Sequence, residues 1–390
     1  MSAFHSSVSS LYVHVPFCAA KCDYCAFYSE STGDGQMNRY VDALIGEMEI
    51  VASTVKPKTV FFGGGTPSLL SLKQWQRILE AMERFDLLGA DEWTVECNPA
   101  TVSTEKARLL RDHGVNRISM GVQSLDERLL NRLGRIHSRE MVFKSFDRLR
   151  VAGFDNINLD LMFAIPGQTL DLWQITLAEA IAMGSEHISS YEVIYEDDTP
   201  LYEQLKAGEF DVDEELACAM YDELIDTVTA AGFVQYEVAN FARHDGKSGN
   251  ELPSRACQHN VNYWRGGSCQ ALGPSATGYV DGRRIRNIAN TDRYCEQLAL
   301  GQRAHESVEQ LSPLASAGET AAFGLRMNVG WPFELFERTT GCDLRIGWIA
   351  EMKRTVDSGW GVRNEERFHL TRQGMRFADT VAEWFIRPEL

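Results

Sequence analysis

The chain has 390 residues, of which 44% are hydrophobic and 24% charged, with a formal net charge of −17. Those are values of an ordinary globular protein, long enough for two core-bearing units or one large barrel with an appendage. The acidic balance argues against nucleic-acid binding, which runs on phosphate neutralisation by Lys and Arg. No run of about 18 apolar residues marks a membrane-spanning helix, which leaves only peripheral membrane contact open.

The opening "MSAFHSSVSS" has neither the basic nor the apolar region of a secretory signal, and reads as a disordered tail over 1–10. A cytoplasmic, reducing location follows, with the nine cysteines as free thiols. A cysteine cluster there signals metal binding or catalysis before it signals disulfides.

In chain order, "LYVHV" (11–15) reads as a strand and "MNRYVDALIGEMEIVA" (37–52) as a helix, with Val41, Leu44, Ile45 and Met48 at helical spacing. "TVFFGGG" (59–65) is a strand running into glycines. "SLKQWQRILEAM" (71–82) opens with Ser71 and Gln74, the pattern of a capping box. Strands follow at 93–98, 117–124, 156–165 and 187–194. The helices between them stop at Gly114, Gly153 and Gly184, as C′ glycines do. Six strand–helix units in succession predict an α/β fold with a parallel sheet and crossover helices. This unit spans 11–232. A linking segment, 233–309, carries a polar loop (243–255) and the irregular stretch "CQHNVNYWRGGSCQALGPSATGY" (257–279). Residues 310–390 read as a mainly helical, winged-helix-like domain.

The chemistry-bearing residues gather at strand ends, where parallel sheets bind ligands. Cys18, Cys22 and Cys25 follow the first strand and "GGGTP" (63–67) the second. Glu96, Gln123 and Asp160 lie in the third, fourth and fifth. Four readings of the cysteines compete. A zinc site would need a fourth ligand from Cys97 or a histidine. A disulfide would leave one thiol over. Buried structural cysteines are the default for any single Cys. A 4Fe–4S cube on three thiolates leaves one iron open, and S-adenosylmethionine can chelate it through its amino and carboxylate groups.

The remaining residues suit such a cofactor. Gly64, Gly65 and Thr66 bring backbone close to the methionine end, since glycine has no Cβ; the plain alternative is a Gly-Pro turn. Asp160 and Gln123 suit ribose hydroxyls, Arg135 a carboxylate in fork geometry, Glu96 an ammonium or ribose, and Tyr24 an adenine face. Taken singly, each fits a structural role equally well.

The C-x3-C-x2-C order after a first strand, with Tyr24 before the last cysteine, resembles the radical S-adenosylmethionine superfamily. "YVHVPFC", "FFGGGTPS", "VECNP", "GVQSLD", "LLNRLGRIHS" and "NLDLMFAIPGQT" resemble, in that order, the oxygen-independent coproporphyrinogen dehydrogenase group, which includes the HemW-type haem chaperones. The resemblance covers residues 11–390. It implies a six-unit partial (βα) barrel with a C-terminal helical domain and a 4Fe–4S cluster on Cys18, Cys22 and Cys25. It also implies an electron donor and S-adenosylmethionine contacts at Tyr12, Gly64, Gly65, Thr66, Glu96, Gln123, Arg135 and Asp160.

Two functions come with the resemblance. One is radical decarboxylation of the propionates of coproporphyrinogen III. The other is delivery of haem to acceptor haemoproteins. Phe27 stands where the dehydrogenases carry a further cysteine, and "CQHNVNYW" (257–264) matches the HNxxYW motif of the HemW type. The second function is therefore favoured. It implies His259 as a haem-iron ligand, flanked by Asn260, Tyr263 and Trp264, with Cys257 as a second axial candidate. Ala164, where relatives carry glycine, is expected to narrow the adenine side. Thr277 replaces a common histidine.

Overall fold

The computed structural model describes residues 8–31, 35–246 and 251–387. Six parallel strands form the centre of one sheet: β1 (Val8–Val15), β2 (Val55–Gly64), β3 (Glu92–Cys97), β4 (Arg117–Gln123), β5 (Ile157–Phe163) and β6 (His187–Glu192). The long crossovers carry helices α1 (Gln36–Val51), α2 (Leu72–Arg84), α3 (Thr104–Asp112), α4 (Arg139–Val151) and α5 (Leu170–Ala182). Ser71 and Gln74 make the expected capping box. Gly114, Gly153 and Gly184 take positive φ at the helix ends, where a Cβ is disfavoured. The α/β partial barrel is thus as the sequence predicts. One correction concerns the tail. Val8, Ser9 and Ser10 already belong to β1, because Ser10 pairs with Thr59. Residues 1–7 of that tail lie outside the described residues.

The two faces of the sheet differ. Leu11, Val13, Val60, Phe62, Val95, Ile118, Met120, Leu159 and Ile188 are buried in one apolar core with residues of the helices. The alternate residues are polar: Ser10, Thr59, Glu92, Thr94, Arg117, Ser119, Asn158, His187 and Ser189 are all buried. Strand period two puts them together on the other face. The register lines them up, Thr59 beside Glu92, Thr94 beside Arg117, and Ser119 beside Asn158. Asn158 lies in turn beside His187. The barrel interior is therefore polar.

The segment expected to link two domains is built into the barrel. A strand pair, β7 (Phe233–Gln235) and β8 (Asn240–Arg243), extends the sheet antiparallel beyond β6. A short strand, β9 (Gln270–Leu272), pairs parallel with β1 at the other edge. Residues Gln258–Trp264, expected to be irregular, form helix α6. The chain after 310 has its own core around Trp331, Phe336, Trp348, Phe368 and Phe385. It is mainly helical and includes a three-stranded antiparallel sheet of Trp331–Pro332, Arg367–Leu370 and Gly361–Arg363. It ends in two short helices, Arg372–Arg376 and Ala378–Phe385.

Candidate functional site

A cavity of about 680 Å³ opens at the C-terminal ends of the parallel strands. Cys18, Cys22, Tyr24, Cys25, Gly64, Gly65, Thr66, Glu96, Gln123, Arg135 and Asp160 all line it. Residues that the sequence spreads over more than 140 positions converge because parallel strands deliver their C-terminal ends to one rim.

The cysteine loop is pinned from two sides. Asp23 N–H donates to Leu133 O at 3.1 Å, and Leu201 N–H to Asp23 O at 2.9 Å. Two sulfurs carry donors: Thr66 Oγ1 lies 3.6 Å from Cys18 Sγ, and Arg135 Nη1 lies 3.4 Å from Cys22 Sγ. Both contacts hold a sulfur in place from the cavity side, and sulfur is the atom that would bind iron. Burial pushes the Cys25 thiol up, with Cys22 adding to it. Among the described residues no three His, Cys, Asp or Glu side chains converge on a single-ion position. A cube that gives each thiolate its own iron fits this donor set.

Arg135 uses both terminal nitrogens within the protein, Nη1 on Cys22 and Nη2 on Gly121 O at 2.7 Å. Its Nε is buried with no protein partner. The guanidinium is therefore directed first at the cysteine loop, and not held free as a two-pronged carboxylate clamp.

The glycines have a local reason beyond the approach of a ligand. Gly64 has φ +103°, and a Cβ there would lie 2.5 Å from the His14 ring. At Gly65 a Cβ would lie 2.7 Å from Phe17 O. The chain must turn tightly over β1 to send Gly65 N–H to Val15 O at 2.8 Å and Thr66 N–H to Phe17 O at 2.7 Å. Gln123 also has a left-handed backbone, φ 66°, at an irregularity between β4 and β5. That turn aims its amide at the cavity.

Two carboxylates dominate the electrostatics. Glu96 borders the cavity and is enclosed elsewhere; burial, then the neighbouring Asp160, pushes its carboxyl up to about 8. Burial also raises Asp160, although Ser119 Oγ donates to it at 3.0 Å and Asn158 Nδ2 at 2.8 Å. Glu192 and Glu196 line the outer wall, against Lys21 and Arg135 as the lining cations. Four carboxyl groups stand against two bases, and a cationic ligand would be met by those that ionise. A sulfonium with an ammonium meets that demand.

Several expected residues lie elsewhere. Tyr12 is not in the lining; it bonds His14 Nδ1 at 3.1 Å and packs between Phe61 and His259. Ala164 is not in the lining either. Its departure from glycine has a backbone consequence, a left-handed φ of 56°. Thr277 is exposed on a separate three-stranded sheet, paired with Arg286.

The largest correction concerns the HNxxYW stretch. His259 is 1% exposed, in the polar interior of the barrel. Its Nδ1 meets Thr59 Oγ1 at 3.0 Å, and its ring packs 5.1 Å from Tyr263 and 5.2 Å from Phe61. Burial and Arg117 push the imidazole down to about 3, so it is neutral. Nε2 is buried with no protein partner, and the rings of Tyr12, Phe61 and Tyr263 pack around the imidazole. Cys257 is fully buried with Sγ 3.5 Å from Glu92 Oε1, and burial pushes the thiol up to about 12. Tyr263 OH is used on Cys269 Sγ at 3.1 Å. Trp264 lies against Phe323 and under Arg326, and Asn260 shares the helix outside the cavity lining. A haem does not fit these residues as they stand.

The sequence reading also missed residues. Ser119 and Asn158 hold Asp160. Phe27 (72% exposed), Ile194 (66%) and Ile136 form an apolar rim at the cavity mouth. Alternating polar residues within parallel strands, normally apolar on both sides, were the available signal for the first pair.

The sequence matches the Radical SAM superfamily over residues 12–179. It is 32% identical to "Heme chaperone HemW" of Lactococcus lactis subsp. lactis (strain IL1403), over 98% of each chain. It is 33% identical to the protein of that name in Bacillus subtilis (strain 168), over 97% of this chain and 99% of the relative. In structure it is similar to the coproporphyrinogen III oxidase HemN of Escherichia coli, with a TM-score of 0.82 at 22% identity, over 98% of this chain and 90% of that one. The similarity to HemN is one of fold.

Proposed function

Because the chain belongs to the HemW-type family of radical S-adenosylmethionine proteins, we propose that it is a haem chaperone. It carries a 4Fe–4S cluster and S-adenosylmethionine, and passes haem to acceptor haemoproteins. Full-length similarity to two proteins named haem chaperones is the observation that carries this reading. The cavity supports it. Cys18, Cys22 and Cys25 would hold three irons, leaving the fourth for the amino and carboxylate groups of S-adenosylmethionine. The cluster, with an electron donor, supplies one-electron chemistry. Glu96 and Asp160 face the cationic part of the ligand, Gly64 to Thr66 give it backbone groups, Gln123 an amide, and Tyr24 a ring. Arg135 offsets the charge that the cluster brings to Cys22.

For haem the supporting feature is the rim. Phe27, Ile136 and Ile194 lie together at the mouth and expose apolar surface to water. A flat apolar macrocycle laid across them removes that surface from water, with Lys21 as a cation for a propionate.

The second reading is coproporphyrinogen III decarboxylation, favoured by the HemN-like fold alone. Phe27, at a position where those enzymes resemble one another in carrying cysteine, counts against it: a phenyl ring neither ligates a metal nor carries a proton. Anaerobic reconstitution is expected to give about four irons per chain and haemin titration a Soret band. Coproporphyrinogen III with reductant and S-adenosylmethionine should go unchanged. Turnover in that assay, without haem binding, sinks the chaperone reading.

A further inference from the structure

The chain from residue 195 to 216 carries nine Asp and Glu against Lys206 alone, a balance of −8 where the whole chain has −17. All nine acids are exposed. Glu203 with Lys206, at 2.7 Å, is the one ion pair of this stretch among the described residues. Like charges gathered without partners repel one another, which works against the fold.

The fold holds this run against the cavity mouth. Helix Pro200–Lys206 is tied to the cysteine loop by Leu201 N–H, which donates to Asp23 O at 2.9 Å. Leu201 and Val193 belong to a small core against which Tyr24 of that loop packs. The Tyr195 and Phe210 rings lie 5.5 Å apart, which folds the later part of the run back beside its start. Glu192 of the cavity wall has its carboxyl raised by burial and by the nearby Glu214. The first acid of the run, Glu196, lines the cavity itself, and Asp197 and Asp198 follow it.

An apolar centre adjoins these acids. Ile194, two residues before Glu196, lines the mouth with Phe27 and Ile136. Val212, between Asp211 and Asp213, is exposed as well. Exposed apolar side chains edged by charge have the anatomy of a protein interface, with an apolar core and a polar rim. The sign of the rim selects the occupant. Acids repel anionic lipid headgroups and draw Lys and Arg. A second copy would bring the same acids face to face across a two-fold axis.

We propose that this acidic apron is the docking surface for the protein that receives haem, and that the acceptor meets it with Lys and Arg set around its own haem entrance. The proposal rests on the haem-chaperone reading and names the surface chemistry of the acceptor. Charge pairing at the edge brings the two openings together, with the apolar rim at the centre.

The test uses the full chain loaded with haemin. The probes are two surface variants of apomyoglobin, one with added lysines and one with added glutamates around the haem entrance. Transfer is followed by the growth of the acceptor's Soret band, at several acceptor concentrations, in about 20 mM and about 500 mM salt. At low salt the lysine-ringed acceptor is expected to take haem at least tenfold faster than the glutamate-ringed one, and at high salt the two should agree within about twofold. A quadruple variant, Asp197→Asn, Asp198→Asn, Glu209→Gln and Asp211→Asn, should lose about tenfold in rate to the lysine-ringed acceptor, with its haemin affinity and melting point kept. Glu334→Gln, Glu337→Gln, Glu365→Gln and Glu383→Gln together remove the same charge from the C-terminal domain and should leave the rate within about twofold.

Equal low-salt rates to the two acceptors would overturn the proposal, as would equal losses in the two quadruple variants. So would faster transfer into phosphatidylglycerol vesicles than to the lysine-ringed acceptor, which would make the mouth a membrane face. A wild type that takes up no haemin fails the functional reading. One that loads haemin and yields it to both acceptors at one rate fails the docking proposal alone.

Discussion

Arg135 donates from Nη1 to Cys22 Sγ at 3.4 Å and from Nη2 to Gly121 O at 2.7 Å, so one guanidinium ties the cysteine loop to the end of β4. A fixed positive charge beside a cluster thiolate favours the reduced cluster, which is the more negative state. Arg135→Met, which keeps the length and loses the charge, should move the cluster midpoint negative by roughly 60 mV, one tenfold step for a one-electron couple. An EPR-monitored redox titration checks it; an unchanged or more positive midpoint would rule out this role for the arginine.

Glu96 gives the cofactor site a pH dependence whose sign can be worked out. Its carboxyl lies at about 8, raised by burial and by Asp160. Below that pH the free protein holds it protonated, and a cationic ligand must expel the proton to gain a carboxylate. Affinity for S-adenosylmethionine should therefore rise between pH 6.5 and 8, by up to about tenfold per unit, and level off above. Glu96→Gln should bind more weakly and lose this slope. Dissociation constants at three pH values suffice, and an affinity that falls with rising pH would exclude Glu96 as the controlling group.

Two left-handed positions should respond to substitution in opposite directions. Gly64→Ala puts a methyl 2.5 Å from the His14 ring at φ +103° and should cost about 2–3 kcal/mol. Ala164→Gly relieves a residue held at φ 56°. The strain released is about 1–2 kcal/mol, and the extra freedom of the unfolded chain takes back about half, leaving about 0.5–1 kcal/mol of gain. Urea midpoints would show both.

The apolar rim sets a prediction for haem. Phe27→Asp combined with Ile194→Asp places two charges where a macrocycle would lie. Removing roughly 100 Å² of apolar contact costs about 2.5 kcal/mol, and haemin should bind more than tenfold more weakly. Equal haemin binding by the double variant would move the haem site away from the mouth.

Much of the fold and cavity was legible because its signals are local. The capping box at Ser71 and Gln74, the glycines after α3, α4 and α5, and the apolar spacing of α1 each report on neighbours within a turn or two. The cavity followed from chain order, since residues after parallel strands must meet at one rim. Tyr12 misled because it sits in β1, three residues before the end of the strand at Val15, and so lies deeper in the barrel. Asn158 and His187 were overlooked because a buried polar residue in a strand announces itself only when its partner is known.

The sequence by itself determined that six strand–helix units form a parallel sheet and that three cysteines stand at the end of its first strand. Backbone periodicity and strand order decide both. It could not decide what the HNxxYW motif does. His259 N–H meets Glu92 across 167 residues, and whether an imidazole faces solvent or a barrel floor depends on that distant pairing. Only the tertiary structure places His259 on the barrel floor, by packing a short helix against a polar sheet face whose buried donors and acceptors had to be satisfied.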